Sequence, residues 1–172
     1  DRHRRIFVLT GAGISTGSGI PAYRDENGDW KRPAPVQYRD FVRRHPVRQR
    51  YWARSLVGWP RFRAAQPNIC HEILRAWEAS GMISTLVTQN VDGLHQAAGS
   101  RDVVEFHGTF AWQRCQNCGG RCETTRVDLS RIPPRCSCGG IYRPDCVFFG
   151  EMIPPHLLER SHQLAARCDV ML

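Results

Sequence analysis

A polar segment near the middle of the chain carries the side chains most suited to chemistry. Gln89, Asn90 and Asp92 come directly after an apolar run at residues 83–87, which predicts a buried strand. Parallel α/β sheets bind ligands beyond the carboxyl ends of their strands, so we expect this segment to belong to a site. Each residue alone is more typical of a turn, because Asn and Asp are common turn formers.

Two other segments extend this hypothesis. Gly11, Ala12 and Gly13 follow an apolar run at 6–10, and such a loop lets backbone N–H groups approach a pyrophosphate. The loop is equally compatible with a tight strand-to-helix turn, since the spacing to Gly17 departs from G-x-G-x-x-G. His107 follows another predicted strand, the mostly apolar segment 103–106, although a lone histidine is more often structural than a proton carrier.

Four cysteines predict a metal site. Cys115 and Cys118 form a C-x-x-C pair, Cys136 and Cys138 a C-x-C pair, and two glycines follow each. Four thiolates without an open position are typical of a closed, structural tetrahedral zinc site, here one zinc per chain. Disulfides or unpaired thiols are the alternative, which the paired spacing disfavours. Cys122 is a fifth candidate.

The elements that would position these residues alternate between strand and helix. Strands are expected at 6–10, 83–87 and 103–106, with another beginning at 170. Helices are expected from Pro46 to a stop at Gly58 and Pro60, from an N-cap at Asn68 to Gly81, and over 155–167. This alternation predicts an α/β fold with a parallel sheet.

The composition sets limits on the protein's class. The chain has 172 residues, a length that favours one domain with a small insert, and no apolar run long enough to cross a membrane. Its net charge of +8 comes from arginines scattered through the sequence, with Lys31 the one lysine. We interpret this as a basic, partner-facing surface rather than a nucleic-acid groove. Nothing in the sequence indicates an oligomeric state.

Together these segments resemble the sirtuins, which are NAD-dependent protein-lysine deacylases, over nearly the whole chain. The resemblance implies a Rossmann-like parallel sheet with an inserted small zinc-ribbon module and a helical/loop insert. It divides the chain into a Rossmann-like part (1–33), a cofactor-loop and helical insert (34–67), a Rossmann-like continuation (68–109), a zinc module (110–142) and an incomplete return (143–172). The chain begins at Asp1 and ends as a strand begins, so we expect a fragment truncated at both ends.

The resemblance also assigns roles at the site. His107 would be the general base on a ribose hydroxyl, Asn90 would orient the ribose and a water, and Asp92 would hold the nicotinamide carboxamide. The family's Asp-Phe-Arg motif appears here as Ala22-Tyr23-Arg24, so Ala22 is a departure. The residues implied to contact NAD are Gly11, Ala12, Gly13, Ile14, Ser15, Thr16, Ala22, Tyr23, Arg24, Gln89, Asn90, Val91, Asp92 and His107.

A segment near the end of the chain resembles the family's peptide-binding strand. Val147, Phe148, Phe149 and Gly150 would bind the acyl-lysine substrate by strand addition. Residues 48–60 resemble the class II branch that includes a mitochondrial lipoamidase and ADP-ribosyltransferase. Within them, the spacing of Tyr51 and Arg54 is similar to the pair that grips acidic acyl groups in desuccinylating sirtuins. An equally favoured interpretation is that Arg54 is an ordinary surface charge and Tyr51 a core residue.

The implied function is removal of acyl groups from protein lysine, with NAD consumed as a cosubstrate and nicotinamide and O-acyl-ADP-ribose released. A protein mono-ADP-ribosyltransferase using the same site is the alternative, followed by a zinc-containing binding module without catalysis. The expected partner is an acyl-lysine protein or peptide, with no membrane and no nucleic acid. The expected location is the cytoplasm, or the mitochondrial matrix in a eukaryote.

Overall fold

The computed structural model describes residues 5–31 and 34–172, with the backbone alone at Ser84. Pro33, where the first Rossmann-like part was expected to end, lies outside the described residues. The chain forms two compact units. The sheet unit contains the described residues of Asp1–Pro33 together with Ala65–His107 and Ile153–Leu172, and the ribbon unit contains Ala34–Ala64 and Gly108–Met152.

The sheet unit is built on a four-stranded parallel sheet in the order β3-β2-β1-β7. Its strands are β1 (Ile6–Thr10), β2 (Ile83–Thr88), β3 (Val103–Glu105) and β7 (Val170–Met171). All four occur where the sequence predicts them, because each contains a short apolar run. The strands β1, β2 and β3 bury residues in the sheet, whereas both residues of β7 are exposed. The predicted Rossmann-like α/β fold is confirmed.

Helices connect these strands. A 3₁₀ helix at Ala12–Ser18 follows β1, α3 (Ile69–Ala79) precedes β2, the short α4 (Leu94–Ala97) follows β2, and α5 (Pro155–Ala166) leads to β7. Asn68 caps α3 as expected, since its side chain accepts a hydrogen bond from the Cys70 backbone N–H at 3.0 Å. Leu74 of α3 packs against Val8 and Leu86 of the sheet. This packing fixes the loops at the carboxyl ends of β1 and β2.

The ribbon unit begins with two helices, α1 (Tyr38–Arg43) and α2 (His45–Ala64). The expected stop at Gly58 and Pro60 is wrong, because α2 continues through both residues. Beyond the proline, the Phe62 ring stacks on Trp59 and meets Phe110 edge-on, with centroids 6.0 Å and 5.3 Å apart. These aromatic contacts offset the backbone hydrogen bond that a proline within a helix forfeits.

The rest of the ribbon unit is a three-stranded antiparallel sheet in the order β5-β4-β6. Its strands are β4 (Gly108–Cys115), β5 (Arg121–Glu123) and β6 (Tyr142–Cys146). Residues 143–152, which the sequence assigned to the return of the Rossmann-like domain, cluster with this unit because β6 pairs with β4. Among the described residues, no helix is long and apolar enough to span a membrane.

Candidate functional site

The site is built where β1 and β2 end. Thr10 and Thr88 are register partners at the carboxyl ends of these strands, and their hydroxyls hydrogen bond at 2.8 Å. The Thr88 hydroxyl also accepts a bond from the Asn90 backbone N–H at 3.1 Å. Asn90 in turn donates from Nδ2 to the Gly11 carbonyl at 3.0 Å. The glycine loop and the polar segment after β2 are therefore one connected structure, as the sequence predicts.

Ser15 and Asp92 extend this network. The Ser15 hydroxyl, only 1% exposed, donates to Asp92 Oδ2 at 2.7 Å and accepts from Asn90 Nδ2 at 3.1 Å. Asp92 Oδ1 accepts from the Leu94 backbone N–H at 3.0 Å, which caps the turn into α4. Both Asp92 oxygens are thus used within the protein, and the carboxylate has a fixed direction.

The imidazole of His107 is oriented by a backbone carbonyl. His107 Nδ1 lies 3.0 Å from the Gln89 carbonyl oxygen, and the side chain is half-buried. A carbonyl oxygen only accepts hydrogen bonds, so the proton of the neutral ring is on Nδ1. The lone pair is then on Nε2, which makes that nitrogen a proton acceptor.

Two buried histidines, His71 and His95, lie beneath this site, and the sequence predicted a role for neither. His71 and His95 are 0% and 1% exposed, and their ring centroids are 4.8 Å apart. His95 Nε2 lies 2.9 Å from the Thr10 hydroxyl. Burial, then the neighbouring His71, lowers the pKa of His95 to about 4, against smaller opposing effects of Asp92 and Glu78. Burial lowers the pKa of His71 as well. Both rings are neutral at neutral pH and serve as packed, polar supports.

Asn68 holds the 3₁₀ helix that carries the glycine loop. Its Nδ2 donates to the Ile14 carbonyl at 2.8 Å and to the Ser18 hydroxyl at 2.9 Å. A Cβ at Gly17 would lie 3.2 Å from the same Nδ2 atom, so a side chain there would crowd this contact. The sequence signal for this role was the capping position itself, because an N-cap asparagine still has its amide N–H groups to donate.

The Ala22-Tyr23-Arg24 motif lies in a turn of the sheet unit. Tyr23 is 54% exposed, and its carbonyl accepts from the Lys31 backbone N–H at 3.0 Å. The Arg24 guanidinium lies 3.8 Å from the centroid of the Trp30 ring and donates to the Gly28 carbonyl. Arg24 thereby stabilises the turn at residues 24–30.

The four predicted cysteines converge in the ribbon unit. The Sγ atoms of Cys115, Cys118, Cys136 and Cys138 all lie within 4.8 Å of one another, and all eight cysteines of the chain are free. The Cys115–Cys138 and Cys118–Cys136 sulfur pairs are 3.5 and 3.8 Å apart. Tetrahedral zinc with Zn–S bonds of about 2.3 Å separates its sulfurs by about 3.8 Å, so the cluster fits this ion.

The surrounding backbone suits thiolate ligands. A hydrogen bond from the Cys138 backbone lowers the pKa of the Cys136 thiol to about 6, and one from Gly140 lowers the pKa of Cys138. A Cβ at Gly140 would lie 2.6 Å from Cys115 Sγ, so the second turn approaches the first too closely for any side chain. The prediction of a structural zinc site at these four cysteines agrees with this geometry.

The predicted peptide-binding residues lie in the ribbon unit, directly after β6. Phe148 is 7% exposed, whereas Phe149 is 41% exposed and Val147 half-buried. Phe149 forms an isolated parallel bridge with Gln37, and its carbonyl accepts from the Tyr38 N–H at 2.8 Å. The segment thus lies outside a regular strand and ends in a turn, because the Glu151 N–H donates to the Phe148 carbonyl at 3.0 Å and Gly150 has a φ of 76°.

The structure brings Tyr51 to this segment. The Tyr51 ring contacts Phe148 and Phe41, with centroids 5.3 Å apart in both cases. Arg54, one turn later on α2, is exposed and makes no hydrogen bond or ion pair to any residue that the structure describes. Tyr51 is therefore part of an aromatic cluster, and Arg54 has a side chain available to a ligand.

The fold and these clusters define an α/β nucleotide-binding class with an inserted cysteine-rich ribbon. The Sir2 family model matches residues 11–172. An NAD-dependent protein deacetylase of Xanthomonas axonopodis pv. citri is 45% identical, and the alignment covers 100% of this chain and 69% of that protein. NAD-dependent protein deacetylase 2 of Bradyrhizobium diazoefficiens is 43% identical over 99% of this chain and 74% of its own length. The chain belongs to the Sir2 family.

Solved structures agree with this assignment. A Sir2 complex with deacetylated p53 peptide and 3′-O-acetyl ADP ribose superimposes with a TM-score of 0.87 at 35% identity, covering 98% of this chain and 70% of that one. A complex of Sir2 with p53 peptide and NAD+ gives a TM-score of 0.85 at 35% identity, covering 98% and 69%. The family predicted from the sequence is confirmed.

Proposed function

We propose that this protein removes acyl groups from protein lysine with NAD as a consumed cosubstrate, releasing nicotinamide and O-acyl-ADP-ribose. One observation carries the proposal: Asn90 joins the glycine loop to the polar segment after β2 through Gly11 and Ser15. This places a phosphate-binding type of loop, a fixed carboxylate and an amide at one sheet edge. The relatives named as NAD-dependent protein deacetylases support it.

The glycine loop is suited to a dinucleotide. Apart from Ile14, the residues from Gly11 to Thr16 have small side chains, so a pyrophosphate can approach their backbone N–H groups closely at the end of β1. Asp92, whose direction is fixed by Ser15 and Leu94, would hold the nicotinamide carboxamide. Bound NAD supplies a ribose carbon that the acyl oxygen can attack, with nicotinamide as the leaving group.

His107 would accept the proton. Its Nδ1–H points at the Gln89 carbonyl, so Nε2 is the unprotonated nitrogen and can take a proton from a ribose hydroxyl. Asn90 would orient the ribose and a water. Because the carbonyl holds the ring in one tautomer, the base needs no rearrangement before it acts.

The ribbon unit would supply the peptide-binding residues and the zinc ligands. The segment from Val147 to Gly150 would bind the acyl-lysine peptide, in line with a Sir2 structure solved with acetylated peptide. Zinc on the four cysteines would be structural, since four protein ligands leave no open position. We place this activity in the cytoplasm, where eight unpaired cysteines stay reduced.

Nicotinamide release, measured with NAD alone and with NAD plus an acyl-lysine peptide, tests this proposal. A deacylase releases nicotinamide in step with deacylated peptide and with O-acyl-ADP-ribose. A mono-ADP-ribosyltransferase instead transfers the ADP-ribose label to protein without loss of the acyl group. Binding of NAD without release under either condition would leave the non-catalytic module as the function.

A further inference from the structure

A largely buried ion pair joins the two ends of the segment proposed to bind the peptide. Arg143 on β6 is 4% exposed, and its Nη1 and Nη2 atoms donate to Glu151 Oε1 and Oε2 at 2.7 and 2.6 Å. The two residues are eight positions apart and flank Val147, Phe148, Phe149 and Gly150. A bidentate pair of this kind constrains direction as well as distance.

The same two side chains bind the backbone between them. Arg143 donates from Nη2 to the Cys146 carbonyl and from Nε to the Pro144 carbonyl. Glu151 Oε2 accepts from the Phe148 N–H at 2.9 Å, and the Glu151 N–H donates to the Phe148 carbonyl at 3.0 Å. Both polar groups of the Phe148 backbone are therefore used by Glu151.

Aromatic rings enclose the charged groups. The Arg143 guanidinium carbon lies 4.9 Å from the Phe148 ring centroid and 5.1 Å from that of Tyr38. Phe148 packs in turn against Phe41, with centroids 4.8 Å apart. A buried ion pair contributes little net stability, because desolvation offsets the attraction, but it can specify one conformation. Here the conformation specified is that of residues 146–150.

We propose that Arg143 and Glu151 are positioning residues for the acyl-lysine peptide: together they hold residues 146–150 in the conformation that receives the substrate. The inference rests on the proposed function and deepens it. Both residues belong to the ribbon unit, whereas the residues proposed to bind NAD belong to the sheet unit. Loss of the pair should therefore weaken peptide binding and leave NAD binding unchanged.

The test compares Arg143→Met, Arg143→Lys and Glu151→Gln in the zinc-loaded protein. We expect the peptide KM, and the Kd of a fluorescent acyl-lysine peptide, to rise roughly tenfold in Arg143→Met, as for loss of one charge-assisted hydrogen bond. The KM for NAD should stay within about twofold of wild type. Arg143→Lys keeps the charge but loses the bidentate geometry, so its peptide KM should lie between those of wild type and Arg143→Met.

Matched controls are Arg126→Met and Glu123→Gln, which break an exposed ion pair in the same unit and should leave both KM values unchanged. Equal changes in the KM of peptide and NAD would overturn the proposal, as would an unchanged peptide Kd in a variant with wild-type melting. If all three variants fail to fold, the pair is a folding requirement and the proposal is also overturned. A wild-type protein that binds peptide without turnover would contradict the proposed function alone.

Discussion

Asn90 and Ser15, 75 positions apart in the sequence, share a hydrogen bond of 3.1 Å. Through it the segment after β2 and the glycine loop after β1 hold each other in place. The Ser15 hydroxyl in turn donates a hydrogen bond to Asp92 Oδ2 at 2.7 Å. An amide is required at Asn90, because the Gly11 carbonyl can only accept a hydrogen bond.

Asn90→Asp should therefore lower kcat/KM about 100-fold, since two donated bonds worth about 1–1.5 kcal/mol each are lost and a second carboxylate is brought near Asp92. Nicotinamide release with an acyl-lysine peptide measures the effect. Asn27→Asp, in an exposed turn, is the control and should have wild-type activity. Turnover within about twofold of wild type would contradict the role of Asn90.

His107→Ala should abolish deacylation while leaving the Kd for NAD nearly unchanged. Proton transfer belongs to the reaction, whereas the glycine loop supplies much of the affinity. Calorimetry of NAD binding and a peptide deacylation assay give the two readouts. His162→Ala changes an exposed histidine on α5 and should be silent in both. Full turnover in His107→Ala would show that His107 is not the general base.

Cys136→Ser should reduce bound zinc from one per chain to a small fraction of that, because a hydroxyl is a poor replacement for a thiolate. Elemental analysis measures the metal, and circular dichroism reports on folding. Chelation should unfold the ribbon unit, since a structural ion couples metal binding to folding. Cys70→Ser, at an exposed cysteine outside the cluster, should retain the zinc. Full zinc content in Cys136→Ser would show that Cys136 is not a zinc ligand.

Stability should fall as the pH drops from about 6.5 towards about 4. Folded His95 has a pKa lowered to about 4 from 6.5, so in this window the unfolded chain binds a proton that the folded chain does not. The free energy of unfolding then decreases by at most about 1.4 kcal/mol per pH unit from this group. Denaturant titrations of His95→Gln should show a weaker pH dependence than those of wild type. His156→Gln, at an exposed position, should keep the wild-type slope, and identical slopes in all three proteins would contradict this account.

Arg54→Met should weaken hydrolysis of succinyl- or glutaryl-lysine roughly tenfold or more, because a guanidinium can pair with a distal carboxylate at about 1.5–3 kcal/mol. Acetyl- or lipoyl-lysine activity should change far less. Paired kcat/KM measurements on acidic and neutral acyl peptides test this. Arg61→Met, at another exposed arginine of α2, is the control. Equal losses on both kinds of peptide would make Arg54 structural.

Much of the fold follows from local patterns. The strands at β1, β2, β3 and β7 are predicted because a buried parallel strand is a short apolar run, and α3 because Asn68 is an N-cap. Predictions failed where long-range packing overrides local preference. α2 passes through Pro60, where a stop was expected. Ile69 and Ile73 are 64% and 43% exposed, while the same helix buries His71.

The sequence by itself determined the family, the parallel sheet, the four cysteines and the segments that carry the site, because each leaves a mark in residue type and spacing. The tertiary structure alone decided which side chains meet. The bond from Asn90 to Ser15, the tautomer of His107 and the buried pair of His71 and His95 depend on contacts between residues distant in sequence. The ion pair of Arg143 and Glu151 joins residues eight positions apart across a turn. Periodic patterns in the sequence report on helices and strands, so they do not predict which side chains meet in the folded protein.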